Sequence, residues 1–191
     1  MNKKDLTEAD IRTKFVTPAL VGPNRDKWDV MTQISEELYF TKGRVIVRGK
    51  TVERGEAKKA DYVLSYKPGV PIAVVEAKDN NHSVGAGMQQ ALAYAEILDV
   101  PYAYSTNGDA FLEHDRTVTH GTVTREIALE DFPTPDELWT RYCDSKGYTP
   151  TQRTVAAQDY YDDSSPKAPR SNSHPLSRSF KHATDRLREA A

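Results

Sequence analysis

Sulfur is scarce in this chain: Cys143 is the one cysteine among 191 residues. A lone thiol excludes an internal disulfide and a cysteine-based zinc site, and it suits a reducing compartment such as the cytoplasm. Long apolar runs are missing too. No stretch approaches the roughly 20 apolar residues that cross a bilayer, and the opening MNKKDLTEAD has no apolar segment behind its lysines, so neither a membrane span nor a signal peptide is expected. Charge of one sign is not in excess. Lys and Arg number 26 against 28 Asp and Glu, a net charge of −2, so a nucleic-acid partner has to be met by local patches instead of a global field. His82, His114, His120, His174 and His182 have no metal-ligand spacing. There is no internal repeat. A phosphate-binding loop is lacking as well: the nearest imitation, from Gly43 to Thr51, has one residue too many between its glycines, and those residues read as a strand.

What remains is a polar α/β pattern. Thr7 and Asp10 are spaced as N-cap and N3 of a helix that carries Ile11, Phe15 and Ala19, with Pro18 making its last turn irregular. Trp28 to Phe40 reads equally as helix or irregular strand. Strands are expected at Arg44–Arg48, Tyr62–Tyr66 and Pro71–Lys78, with Gly49 to Lys59 as a charged connection. Pro68 and Gly69 supply a tight turn, which makes the last two strands an antiparallel hairpin. Ser83 is the expected N-cap of a helix whose apolar face is Met88, Ala91, Leu92, Ala95 and Leu98. Strands at Tyr102–Ser105 and Ala110–Leu112 follow, joined by a turn at Asn107 and Gly108. Thr134, Pro135 and Glu137 then start a helix that stops near Gly147. The order predicts an α/β (α+β) fold with a central mixed β-sheet flanked by helices. Residues 1–148 form the expected domain. Residues 149–191, rich in Ser, Pro, Lys and Arg toward the end, are expected to be a linker and a basic disordered tail. Trp28 and Trp139 read as packing residues.

One stretch concentrates the chemistry. In PIAVVEAK, strand alternation puts Ile72, Val74, Glu76 and Lys78 on one face. A carboxylate and an ammonium therefore project together from the end of an apolar strand. The hairpin turn brings Asp61 opposite residues 76 to 78. Two converging carboxylates are what Mg²⁺ requires of a protein, because it takes hard oxygen ligands and keeps several waters. A lysine beside them can orient or deprotonate an attacking water and offset charge on a phosphate. Gln90 and Tyr94, one helical turn apart, share one side of the next helix. Taken alone, Asp61, Glu76 and Lys78 could equally be strand-end charges, and Gln90 and Tyr94 a cap on a helix–sheet interface. Arg44, Arg48, Lys50, Lys58 and Lys59 form a basic belt leading into Asp61, which reads either as a solvated face or as a track for a phosphate backbone.

The segments TEADIRTKFVTPAL, ELYFTKGRVIVRGK, KKADYVLSYKPGVPIAVVEAKDNNHSVGAGMQQALAYAEILDVPYAYSTNGDAF and TPDELWTRYC resemble the N-terminal nuclease domain of the R (restriction) subunit of type I restriction-modification enzymes. That domain belongs to the PD-(D/E)xK nuclease superfamily, in the branch with a Q-x-x-x-Y motif. The resemblance implies a restriction-endonuclease-like αβββαβ core. It implies that Asp61 and Glu76 bind Mg²⁺, that Lys78 is the catalytic lysine, and that Gln90 and Tyr94 complete the catalytic set. It also places Glu8 near the metal, with Arg12 four residues later. The implied partners are double-stranded DNA and the methyltransferase and specificity subunits. The implied activity is endonucleolytic restriction of foreign DNA without the ATP-driven translocase, since this chain has no ATP site. A catalytically silent remnant that docks on restriction-modification subunits is the alternative, and a standalone nuclease or junction resolvase is a third.

Overall fold

The computed structural model describes residues 2–41, 46–48, 51–53 and 57–157. The expected basic tail beyond residue 157 lies outside them, as do Arg44 and Lys50. Thr7 opens the first helical stretch. Its hydroxyl accepts the Asp10 amide, and the Asp10 carboxylate accepts the Thr7 amide, which closes a capping box. The stretch then runs through α1 (Glu8–Ile11), a π-helical turn (Arg12–Val16) and α2 (Thr17–Val21). Pro18 accounts for the wide turn. Its ring collides with the carbonyl four residues back in a regular helix, and the π-turn just before it relieves that clash, with the Thr17 amide reaching back to the Arg12 carbonyl.

The main sheet has six strands in the order β1 (Ile34–Thr41), β4 (Ala57–Lys67), β5 (Val70–Ala77), β6 (Tyr102–Thr106), β7 (Ala110–Asp115) and β8 (Thr124–Ala128). All neighbours are antiparallel except β5 and β6, which are parallel. Their crossover carries α3 (Met88–Leu98), the connection that parallel strands need. The mixed sheet flanked by helices is therefore present as expected. Gly69, at φ 79°, makes the β4–β5 turn. A separate pair, β2 (Ile46–Arg48) and β3 (Thr51–Glu53), is antiparallel, so the segment that imitates a phosphate loop contains paired strands.

Several expectations shift. Trp28 to Phe40 resolves into a turn followed by β1. β4 starts at Ala57, inside what read as a charged connection, because Lys58 and Lys59 pair with Phe40 and Tyr39 across an edge where charged side chains stay wet. The N-cap of α3 is Gly87, not Ser83. β8 was not anticipated, since its sequence TREIA has no apolar run. The folded part also extends past residue 148. Thr149 and Gln152 close another capping box, and α5 (Pro150–Ala156) buries Ala156 and Ala157 in the core. The domain boundary expected at 148/149 thus falls no earlier than 157.

Two cores sandwich the sheet. One face packs Tyr62, Leu64, Ala73, Val75, Tyr102 and Tyr104 against the first helices, α4 (Pro135–Lys146) and α5. The other packs Val63, Val74 and Ala103 under α3. Ile72 joins the first core, not the face of Val74, because the β4–β5 register shifts near Ser65. Both tryptophans pack. Trp28 is buried and donates to the Pro133 carbonyl at 2.8 Å, while Trp139 stacks on Tyr66 with centroids 4.6 Å apart. Among the described residues no helix is long and apolar enough to cross a membrane.

Glu113 on β7 is a buried charge with all its demands met. It accepts from Tyr104 at 2.6 Å, from Arg125 at 2.7 Å, and from both Arg141 amino groups at 3.0 and 2.9 Å. Burial pushes its carboxyl up, but the hydrogen bonds from Arg141, Arg125 and Tyr104 outweigh it and hold the group below its usual range. Such a group contributes stability that is present above its unfolded pKa and lost as pH falls through the folded one. Arg141→Ala is expected to lower the unfolding free energy by about 3 kcal/mol at neutral pH, the low end for breaking a buried pair. Urea denaturation should register this, with the deficit shrinking as Glu113 becomes protonated at low pH.

Candidate active site

The β4–β5 hairpin builds the centre. One rung beyond the Tyr62–Val75 pair lie Asp61 and Glu76, only 5% and 3% exposed. The Asp61 carboxylate accepts the Ala77 amide at 2.9 Å and faces the Arg12 guanidinium at 3.2 Å. Glu76 uses one oxygen twice, accepting from Gln90 at 2.6 Å and from Lys78 at 3.3 Å. Its other oxygen, Oε2, is buried with no hydrogen-bond partner among the described residues.

α3 supplies the cover. Gln90 donates to Glu76 and also to the Tyr94 hydroxyl at 2.9 Å, so the two residues act as one unit. The Tyr94 ring packs edge-on against Phe40, 5.1 Å between centroids. The helix start is pinned from β6. Ser105, the neighbour of Glu76 in the β5–β6 pairing, accepts the Gly87 amide at 3.0 Å and donates to the Val84 carbonyl at 2.7 Å. A side chain at 87 would place its Cβ 3.0 Å from Glu76 Cγ and 3.1 Å from Ser105 Oγ. Gly87 lets the helix start approach the strands closely, and a Cβ there would press on the Glu76 and Ser105 side chains. The loop after Lys78 is tied down by Asn80 to Asp109 at 2.8 Å and by Asn107 to the His82 carbonyl at 2.8 Å.

Around this pair the charges alternate. Lys78 lies 3.3 Å from Glu76 and 3.8 Å from Glu8. Arg12 bridges Asp61 and Glu37, the latter at 2.8 Å, and Lys59 reaches the same Glu37 oxygen at 3.1 Å. Burial first, then the charge of Asp61, pushes the Glu76 carboxyl up to about 8, against the pull of Lys78. Burial favours the neutral form of Lys78, but Glu76 and Glu8 outweigh it and hold the ammonium above its ordinary pKa.

The structure thus brings Asp61, Glu76, Lys78, Gln90 and Tyr94 together. Glu8 reaches Lys78, and no cluster of three or more acidic, His or Cys residues among those described closes around a point that could hold a metal. Lys58 lies 5.8 Å from the Tyr94 ring and Lys59 lies against Glu37, while the side chain of Arg48 is outside the described residues. Sequence reasoning missed Glu37, Ser105 and Gly87. Glu37 fell in a segment with no readable periodicity, and the other two act through contacts that no spacing encodes. The donor set still suits a hard divalent cation. An unpartnered buried carboxylate oxygen, beside a second carboxylate whose charge raises the Glu76 pKa, is a site short of positive charge, and oxygen donors are what Mg²⁺ takes. Asp61 and Glu76 would hold it.

A carboxyl with a raised folded pKa contributes stability that is present below its unfolded value and lost as pH rises through the folded one. The metal-free protein should therefore lose stability between about pH 4.5 and about 8. Glu76→Gln should flatten that dependence in thermal melts recorded across the range. Gly87→Ala should cost about 1–3 kcal/mol in chemical denaturation, the usual penalty for overpacking a tight site.

The sequence model described as type I restriction enzyme R protein N terminus (HSDR_N) matches residues 27–129, more than half of the chain and all of the β4–β5–α3 site. A curated relative, the type I restriction enzyme EcoAI endonuclease subunit of Escherichia coli, is 51% identical over 171 residues, 89% of this chain. The chain spans only 21% of that relative's length. A solved fragment of an HsdR subunit of a type I restriction enzyme from Vibrio vulnificus YJ016 superimposes with a TM-score of 0.67 at 44% identity, covering 82% of this chain and 29% of the other. The chain belongs to the family of the type I restriction enzyme R protein N terminus.

Proposed function

We propose that this chain is the Mg²⁺-dependent DNA endonuclease domain of a type I restriction system, of the PD-(D/E)xK kind. It would cut double-stranded DNA in company with methyltransferase and specificity subunits in the cytoplasm. The observation that carries the reading is the bare buried oxygen of Glu76 beside Asp61, with Lys78 two residues along the same strand. A structural carboxylate would have its oxygens satisfied.

The reaction is hydrolysis of a phosphodiester. A water oxygen attacks phosphorus, the bond to the 3′-oxygen breaks, and the products are a 5′-phosphate and a 3′-hydroxyl. Asp61 and Glu76 would hold a divalent cation, which would supply Lewis acidity to the phosphoryl oxygens. The chain's own residues do the positioning. Asp61 is fixed by the Ala77 amide, so its direction is set by the sheet and not by a flexible rotamer. Gln90 holds Glu76 through one oxygen and leaves the other, buried one without a hydrogen-bond partner among the described residues. Lys78 remains an ammonium under the influence of Glu76 and Glu8, so its first role is to orient the water and offset charge on the phosphate. Tyr94 steadies Gln90.

The test is nicking of plasmid DNA with Mg²⁺ by the complex assembled with methyltransferase and specificity subunits. Lys78→Ala and Asp61→Ala should each lower the rate at least about 100-fold, the lower bound for a positioned acid–base group. Cleavage undiminished by both substitutions would sink the reading.

A further inference from the structure

Glu37 is the most unusual residue near the centre. It is a non-glycine residue in the middle of β1 with φ 50°, the left-handed region. The β1–β4 ladder runs regularly on either side, with Glu36 opposite Tyr62 and Leu38 opposite Ala60, but it skips the rung between Glu37 and Asp61. Both strands change face there. Tyr62 packs with the first core, whereas Ala60, Leu38 and Phe40 pack with α3, although residues two apart on a regular strand share a face. Left-handed backbone at a long charged residue persists only where its surroundings hold it, and such positions cluster at functional sites.

The Glu37 carboxylate meets a pair of cations. Arg12 and Lys59 converge on one of its oxygens at 2.8 and 3.1 Å. Two cationic donors from different elements, converging on a single anionic oxygen, form a seat for an anion. The present occupant is half in solvent, with its side chain 46% exposed, whereas Arg12 is only 16% exposed and is anchored on Asp61 at 3.2 Å. Arg12 is thus fixed, Lys59 is more exposed at 37%, and the carboxylate is the exchangeable partner. A phosphate oxygen makes the same charge-assisted contacts with Arg and Lys. The seat adjoins Asp61, one contact away from the centre, with Lys59 supplied by β4 and Glu37 by the edge strand β1.

We propose that Arg12 and Lys59 form a seat for a backbone phosphate of duplex DNA beside the Asp61–Glu76 centre, and that Glu37 fills this seat until DNA arrives. The inference rests on the nuclease reading for its ligand, though its test does not require cleavage. Arg12 lies outside the residues matched by the family model, and Glu37 was assigned no role by the sequence.

The experiment is equilibrium binding of a short DNA duplex to the full chain in EDTA over a range of salt. Glu37→Gln should tighten binding by about three- to tenfold at low salt, beyond what a charge-matched Glu126→Gln on β8, at the opposite edge of the sheet, achieves. Glu37→Asn should do the same and guards against a folding loss, because asparagine tolerates the left-handed region. Lys59→Gln should lower the slope of log affinity against log salt by about 0.9, one phosphate contact, and should abolish the gain of Glu37→Gln. Binding by the Glu37 variants no tighter than that of Glu126→Gln overturns the proposal, as does a gain that survives Lys59→Gln. Loss of the effect with Mg²⁺-dependent nicking intact removes the seat and leaves the nuclease. Tightened binding without nicking keeps the seat and removes the nuclease.

Discussion

Asp61 and Glu76 place two carboxylates on one buried rung, and the charges around them are arranged in answer to that repulsion. The sheet fixes the pair, since Asp61 is bound by the amide of the residue that follows Glu76. Next outward come two cations, Arg12 on Asp61 and Lys78 on Glu76. Beyond them come two carboxylates, Glu37 and Glu8, and then Lys59. Each layer neutralises the one inside it, so the centre stays buried without an isolated charge. Among the described residues, two buried polar atoms of this network lack a hydrogen-bond partner, Glu76 Oε2 and Arg12 Nε.

Glu113 provides the contrast within the same sheet. Both glutamates are almost fully buried, and both sit on central strands. Glu113 has two arginines and a tyrosine on its two oxygens, and its carboxyl is held down. Glu76 has one lysine and one neutral amide on a single oxygen, and its carboxyl is pushed up. Equal burial therefore produces opposite shifts: the charge of Asp61 adds to burial at Glu76, whereas the hydrogen bonds of Arg141, Arg125 and Tyr104 outweigh it at Glu113.

The sequence was most readable where one physical rule acted alone. The Pro68–Gly69 turn set the hairpin, and the hairpin set Asp61 beside Glu76. Capping residues marked the helices at Thr7 and Thr134. Resemblance to a family converted Gln90 and Tyr94 from helix neighbours into site residues, and their shared hydrogen bond gives that pairing a geometry. Legibility failed where long-range contact overrode local pattern. Ser83 looks like a helix cap, yet the close approach of β5, β6 and α3 at Gly87 decides where the helix begins. β8 is amphipathic too weakly to announce itself, and it exists because β7 offers an edge. Glu37 carries no signal at all, since its conformation follows from the switch of faces between two strands.

Regular structure alone would not assemble this centre. A straight helix through Pro18 carries a backbone clash, and the π-turn that removes it spans Arg12–Val16, which begins with the residue that reaches Asp61. A regular β1 would keep Leu38 and Phe40 on the face of Ile34, leaving Tyr94 without the ring it packs against. A Cβ at 87 would crowd Glu76 and Ser105 where the start of α3 meets the sheet. These three departures lie in different elements, far apart in sequence, and all converge on the same two carboxylates. Local rules are broken where a fold must hold charges in positions that its regular elements do not reach. Here the broken rules outline the site as clearly as the acidic residues do.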